Sequence, residues 1–371
     1  MMRSMNEIKA LLSAVPFFSR LTPAQLEQAA QLWGLQPLQT GDVLWEQDTA
    51  AAGLAIVVEG ALSVESSGVA VSRLEKHALV GESSAFFPNI SHSATLRAAE
   101  PTVVLTLSRN NLIGLKKQRN EEMRTFRALQ AWEGQGRLPM FTVLIEQGLL
   151  TVTRRIRTGL AELTHPAAKG KACPSRERVS TLAKLWKSSR LGLPLSKPPP
   201  LPPMMRRLPR LDALDDATMG SFARMWTPEK FERGHIFFLE GEPSDAAYIL
   251  VEGKVGEMAC QSVGKSLQLR SLEPGGLFGD NGMIEKDHRA FSCIAASPGW
   301  VYRVDPVEFR RFNASSDFGI RWTETLLVQC IAKLRLVNLC HTVDSVLDAT
   351  DEGLGRSRVD FPGLLKLSGA A

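Results

Sequence analysis

Hydrophobic and polar positions change their period several times along this chain, and each change marks an element. Residues 6–33 read as helical. Ile8, Leu11 and Leu12 share one face, Phe17 and Phe18 close a turn after Pro16, and Leu26, Ala29, Ala30 and Trp33 form the next face. Thr22-Pro23 is a helix start, with Thr22 as N-cap and proline at the first helical position. From Leu35 the period shortens. Leu44-Trp45, Leu54 to Val58, Ala61 to Val64, Val80 to Ser84 and Val103 to Leu107 are β-type runs punctuated by Gly41, Gly53, Gly60 and Gly68. Asn110 onward turns helical. Helices are predicted over 119–133 and 138–164, the second with Met140, Val143, Leu144, Leu149 and Leu150 on a packed face and Arg154, Arg155 and Arg157 at its end. A long helix is predicted over 317–347.

The β pattern occurs twice. Gly234 repeats Gly41, and Leu250-Val251-Glu252-Gly253 repeats Val57-Val58-Glu59-Gly60, with the two glycines 19 positions apart in both copies. Gly279-Asp280 repeats Gly81-Glu82, and Ala295-Ala296-Ser297-Pro298 repeats Ala98-Ala99-Glu100-Pro101. Matching order at nearly matching spacing means two copies of one unit. Each has a helical lead-in, about eight short strands with Gly turns, and a helical exit, which is the pattern of a β-barrel or jelly roll.

The second copy contains the stretch with the clearest chemistry, Pro274-Gly275-Gly276-Leu277-Phe278-Gly279-Asp280 running to His288-Arg289-Ala290-Phe291-Ser292. A Gly-rich turn offers backbone N–H groups to a phosphate, and a nearby arginine can grip the same phosphate in a fork. The carboxylate can accept from sugar hydroxyls. This stretch resembles the phosphate-binding cassette of the cyclic-nucleotide-binding domain family, whose pattern is Phe-Gly-Glu, a short helix, then Pro-Arg-Ala-Ala-Thr. Arg289 and Ala290 match it. Asp280 stands for the Glu, His288 for the Pro, Phe291 for the second Ala and Ser292 for the Thr. The resemblance covers roughly residues 15–118 and 208–340. It implies two cyclic-nucleotide-binding jelly rolls, a mainly β fold with helices (α+β), and a tandem plan similar to regulatory subunits of cyclic-AMP-dependent protein kinase. The domains are then 1–118, 119–207 as a helical and Pro-rich basic linker, 208–345, and a loose tail 346–371.

The resemblance also assigns roles. In the second copy Gly279, Asp280, Arg289, Ala290 and Ser292 are the ligand-binding set, with the acid on the ribose and Arg289 on the cyclic phosphate. Cyclic AMP is favoured over cyclic GMP because Ala290 offers no hydroxyl to the ligand. In the first copy Gly81, Glu82, His92 and Thr95 hold the matching places. There His92 replaces the arginine, the intervening segment is one residue longer, and a largely neutral imidazole cannot form the guanidinium fork. That copy is read as degenerate and empty. A helix after the second jelly roll closes over the base in the family. Trp322 lies on it within reach of stacking, although core packing is the preferred reading.

Composition adds the linker. The chain has 371 residues and a formal net charge of +5. Residues 165–210 alone hold eleven Lys or Arg against one acid, Glu177, so this segment carries +10 and the remainder is net negative. Nine of the 21 prolines fall there as well, including Pro198-Pro199-Pro200-Leu201-Pro202-Pro203, which predicts extended polyproline II and a semi-rigid spacer. A protein partner is expected through this linker or the helices. Nucleic acid or an anionic surface is a minor reading, since Trp186 is the one aromatic interleaved. Five scattered cysteines suit reduced thiols in an intracellular, cytoplasmic setting. No Cys or His spacing reads as a zinc site, no cofactor is expected, and no apolar run is long enough to span a membrane. No nucleophile elbow, P-loop or kinase loop is present, and no helix-turn-helix pattern follows Cys340. The chain therefore reads as a binding protein rather than an enzyme. It is either a cyclic-nucleotide-dependent regulatory protein signalling to a protein partner, or an interaction subunit of a larger assembly in which both nucleotide sites have decayed.

Overall fold

A computed structural model describes residues 5–87, 90–129, 138–164, 196–260, 266–311 and 317–354. The lead-in folds as α1 (Met5–Ala14), a 3-10 turn (Pro16–Arg20) and α2 (Pro23–Leu32). Thr22 caps α2 reciprocally: its hydroxyl accepts from the Gln25 N–H, and the Gln25 side chain accepts from the Thr22 N–H.

Eight strands follow: β1 (Trp33–Leu38), β2 (Val43–Trp45), β3 (Gly53–Glu59), β4 (Leu62–Ser66), β5 (Val69–Leu74), β6 (Leu79–Val80), β7 (Thr95–Ala98) and β8 (Thr102–Ser108). They form two antiparallel sheets, ordered β1-β8-β3-β6 and β2-β7-β4-β5. The apolar set between them includes Leu38, Ala55, Val57, Leu62, Leu96 and Val104, all buried. The predicted run Val80 to Ser84 is strand only through Val80. Gly81 adopts φ +83°, a left-handed conformation that breaks the strand and starts a turn.

The second copy repeats this plan with β9 (Thr227–Phe231), β10 (Ile236–Phe238), β11 (Ala247–Glu252), β12 (Val255–Cys260), β13 (Ser266–Leu272), β14 (Leu277–Phe278), β15 (Ser292–Ala295) and β16 (Gly299–Val304). Its sheets run β9-β16-β11-β14 and β10-β15-β12-β13, the same orders strand for strand. Irregularities recur as well. Register shifts between Val57 and Glu59 and again between Leu250 and Glu252. It shifts between Val43 and Trp45 and again between Ile236 and Phe238. Bulges bend strands and re-aim side chains, so the two copies share their local geometry as well as their topology.

The helices are α3 (Arg109–Leu129), α4 (Met140–Thr164), α5 (Leu201–Met205), α6 (Asp216–Ala223), α7 (Asp280–Glu285), α8 (Pro306–Arg311) and α9 (Asp317–Leu354). The proline run departs from the polyproline expectation. Pro200 is extended, but Leu201 begins α5, because Pro202 falls in a first turn that needs no N–H. Leu201 and Met205 are buried, and the Tyr302 hydroxyl donates to the Pro199 carbonyl at 3.0 Å. This end of the linker is docked through its own apolar residues. Residues 165–195, which hold most of the basic charge, and 355–371 lie outside the described residues. Helix α9 continues to Leu354, past the expected start of the tail at 346.

Compactness divides the chain into two units that interleave along it. One comprises Met1–Ile156, Leu208–Met219 and Val307–Arg335, and the other Arg157–Arg207, Gly220–Pro306 and Leu336–Ala371. The sequence boundaries at 118, 207 and 345 run in chain order, whereas the first unit takes in α4 to Ile156 and the first half of α9. Trp322 is fully buried in that unit, edge-on to Phe309 at 6.1 Å. It is a core residue.

Candidate functional site

Each copy presents its cassette side chain from the same backbone frame. In the first, the His92 N–H donates to Thr49 O at 2.9 Å and its carbonyl accepts from the Asp48 N–H at 2.9 Å. In the second, the Arg289 N–H donates to Glu242 O at 2.8 Å and its carbonyl accepts from the Gly241 N–H at 2.9 Å. The hydroxyls expected to serve the ligand share a structural duty: Thr95 Oγ1 accepts from the Gln47 N–H at 3.0 Å, and Ser292 Oγ from the Glu240 N–H at 2.9 Å. One frame thus carries two different chemistries.

In the second copy Gly279 has φ +78° and caps α7. A Cβ there would stand 3.0 Å from both Ala246 O and the Arg289 guanidinium, so only glycine leaves room for the arginine. Arg289 is buried. Its guanidinium donates to Gly279 O at 2.8 Å and to Asp245 Oδ1 at 2.9 Å, and it lies over the Phe238 ring, 4.0 Å from its centre. Its Nε–H has no hydrogen-bond partner. Asp245 is largely exposed, so Arg289 is buried toward the protein and neutralised from the solvent side.

Asp280, the expected ribose acid, is fully buried. A second pair lies close to it. Arg270 donates from Nε to Glu257 Oε2 at 2.5 Å, and from one terminal nitrogen both to Glu257 Oε1 at 3.1 Å and to Leu277 O at 3.2 Å. Burial acts against the Arg270 charge, but Glu257, with Asp280 beyond it, holds its pKa above the ordinary arginine value. Phe291 is buried and packs against Phe238 at 6.3 Å, so the bulky replacement faces the core. Ala290 is half-buried. Arg157 clamps the end of α7, with Nε 2.5 Å from Glu285 Oε2 and a terminal nitrogen donating to His288 O at 2.5 Å.

In the first copy His92 is buried and stacked on Trp45, 4.7 Å between ring centres at 10°. Its Nε2 accepts from the Ala52 N–H at 3.1 Å, which places the ring proton on Nδ1, facing the Ser84 hydroxyl at 3.2 Å. Burial lowers its pKa, so the ring is neutral. Glu82 is completely buried. One carboxylate oxygen pairs with Arg155 of α4, and the other has no hydrogen-bond partner. Burial pushes the Glu82 pKa up while Arg155 pulls against it.

Matched by position, the copies differ as a set. Trp45, His92 and Ala52 in the first stand where Phe238, Arg289 and Asp245 stand in the second. An aromatic ring supports the cassette side chain in both. The carboxylate is present only where there is a guanidinium to pair with it. Asp245, Phe238 and the Glu257–Arg270 pair were missed in the sequence. The first two could have been found by extending the repeat from Gly234 onward, since they fall in register with Ala52 and Trp45. Arg155 had no such signal, because α4 lies outside the repeat.

The model of the family described as "Cyclic nucleotide-binding domain" matches residues 35–119 and 228–316. The chain carries two cyclic nucleotide-binding domains in tandem. The CRP-like cAMP-activated global transcriptional regulator of Mycobacterium tuberculosis is 27% identical over 125 residues, 34% of this chain and 54% of that protein. The global nitrogen regulator of Synechococcus elongatus is 29% identical over 83 residues, 22% of this chain and 37% of that protein. The chain spans about half the length, or less, of these curated relatives. Among solved structures, the regulatory subunit of a cAMP-independent protein kinase A from Trypanosoma brucei aligns over 95% of this chain and 94% of its own, at 15% identity and a TM-score of 0.28. Among the described residues no helix is long and apolar enough to cross a membrane, and no cluster of His, Cys, Asp and Glu is arranged to hold a metal.

Proposed function

We propose that this chain is a regulatory protein whose second domain binds a cyclic nucleotide, cyclic AMP in preference to cyclic GMP, and which passes that occupancy to a protein partner. The observation that carries the reading is Arg289. It is a buried guanidinium at the cassette position, held at two points by Gly279 O and Asp245, with its Nε–H unpartnered. A cyclic phosphate arriving there would displace an exposed carboxylate rather than break into the core. Asp280 would serve the ribose and Ala290 leaves the base without a hydroxyl partner. Nothing among these residues suggests bond-making chemistry, so the role is binding, with the chemistry left to the partner.

The first domain takes no nucleotide in this reading, because a neutral His92 stands in place of the guanidinium. A second reading rests on the same burial. If Asp245 and Phe238 hold Arg289 permanently, both sites are closed and the chain is an interaction subunit. Calorimetric titration of the full chain with cyclic AMP and cyclic GMP separates the two. Saturable binding lost in Arg289→Ala supports the receptor, and no heat up to about millimolar ligand supports the interaction subunit.

A further inference from the structure

The proline run at the docked end of the linker is two-sided. In Lys197-Pro198-Pro199-Pro200-Leu201-Pro202-Pro203, a lysine and two prolines, Lys197, Pro200 and Pro203, stand three positions apart. A polyproline II strand turns once every three residues, so these three share one side of it, and its carbonyls make no internal hydrogen bonds. Lys197, Pro200 and Pro203 are exposed, while Leu201 is buried. Pro200 keeps the polyproline conformation, with φ −64° and ψ 135°. The Pro199 carbonyl accepts from the Tyr302 hydroxyl on β16 at 3.0 Å. From Leu201 the chain is wound into α5, and the two steps of the pattern become unequal. Three residues of polyproline II cover about 9 Å, and three of helix about 4.5 Å.

Helix α5 does not hold itself. It is one turn of five residues, Pro202 and Pro203 have no N–H, and Pro200 at its N-cap makes no side-chain bond. An isolated helix of this length is unstable in water. Burial of Leu201 and Met205 keeps it wound. Freed from that burial and from Tyr302, the same residues return to polyproline II.

We propose that residues 197–203 are a polyproline ligand for a protein partner, one whose aromatic-lined groove takes Pro200 and Pro203 and whose acidic pocket takes Lys197. Docking on β16 holds this ligand in reserve, since α5 must unwind before Pro203 comes into step with Pro200. The proposal rests on the partner half of the function proposed above and names what that partner presents. It is independent of Arg289, so nucleotide titration and the experiment below fail separately.

Calorimetry of the full chain against an SH3 domain that selects Lys-x-x-Pro-x-x-Pro ligands tests this. The wild type should bind one domain per chain. Tyr302→Phe, which frees the Pro199 carbonyl, should bind it about 2- to 10-fold more tightly, the worth of one hydrogen bond. Pro200→Ala combined with Pro203→Ala should abolish binding in both backgrounds. Should Tyr302→Phe disturb the second jelly roll, Met205→Ser loosens α5 from outside the ligand and should also tighten binding. No binding to the wild type or to either loosened variant overturns the ligand. Equal affinity in the wild type and both loosened variants overturns the reserve. Binding that survives the paired proline changes but is lost in Lys197→Ala is charge attraction alone and overturns both.

Discussion

At the scale of single residues, the two cassettes show how one backbone frame is given opposite electrostatics. In the second, Arg289 is buried against Phe238 and balanced by Asp245. Removing it strips a charged partner from any bound phosphate, so Arg289→Ala should weaken nucleotide binding by about 2–5 kcal/mol, roughly 30-fold to several thousand-fold. Asp280→Glu should tighten it if the ribose is contacted, since the longer acid restores the reach found elsewhere in the family. An unchanged affinity would remove Asp280 from the site. In the first cassette, burial holds the His92 pKa below its ordinary value near 6.5. The unfolded chain then takes up the proton first as pH falls. The stability this contributes is complete above about 6.5 and is lost as pH drops from there toward the folded-state value. Denaturant unfolding at about pH 7.5 and about pH 5.5 should show the first unit losing stability on acidification, with a smaller loss in His92→Gln. Equal losses in both would show that the ring does not carry this dependence.

At the scale of elements, the repeat was the legible part. The matched glycines, the two Glu-Gly turns and the Gly-acid pairs predicted two jelly rolls, and the bulges recur where those motifs recur. The cassette side chains were legible for the same reason: Gly279, Arg289 and their first-copy counterparts sit in motifs of fixed order. What was hidden is what reaches a cassette from outside its motif. Asp245 lies on a loop 44 residues from Arg289, Arg155 lies on a helix 73 residues from Glu82, and neither position has a local pattern that marks it. The proline run was misread because polyproline propensity is a local preference, and burial of Leu201 and Met205 overrides it. Gly81 tests how far the cassette turn is fixed by geometry. It has φ +83° and lies tight against Gly53 O and the Trp45 ring. Gly81→Ala should cost about 1–3 kcal/mol of first-unit stability, measured by denaturant unfolding. A neutral result would mean that the turn rearranges freely.

At the scale of the whole molecule, the compact units do not coincide with stretches of chain. Residues 307–335, which follow the second jelly roll, belong with the first unit. Fragments cut at the sequence boundaries would leave buried faces uncovered, so binding belongs on the full chain. The docked end of the linker also makes a prediction. With Pro199 bonded to Tyr302 and Leu201 and Met205 buried, limited proteolysis should spare 197–207. Early cleavage within 197–207 would contradict the docking. The central claim, that the second domain binds a cyclic nucleotide through Arg289, meets its most direct test in calorimetry of the full chain and its Arg289→Ala variant against cyclic AMP and cyclic GMP. The account predicts one saturable site per wild-type chain, tighter for cyclic AMP and weakened at least about 30-fold in the variant. Absence of binding in the wild type up to about millimolar nucleotide, or equal affinity in the two proteins, would contradict it.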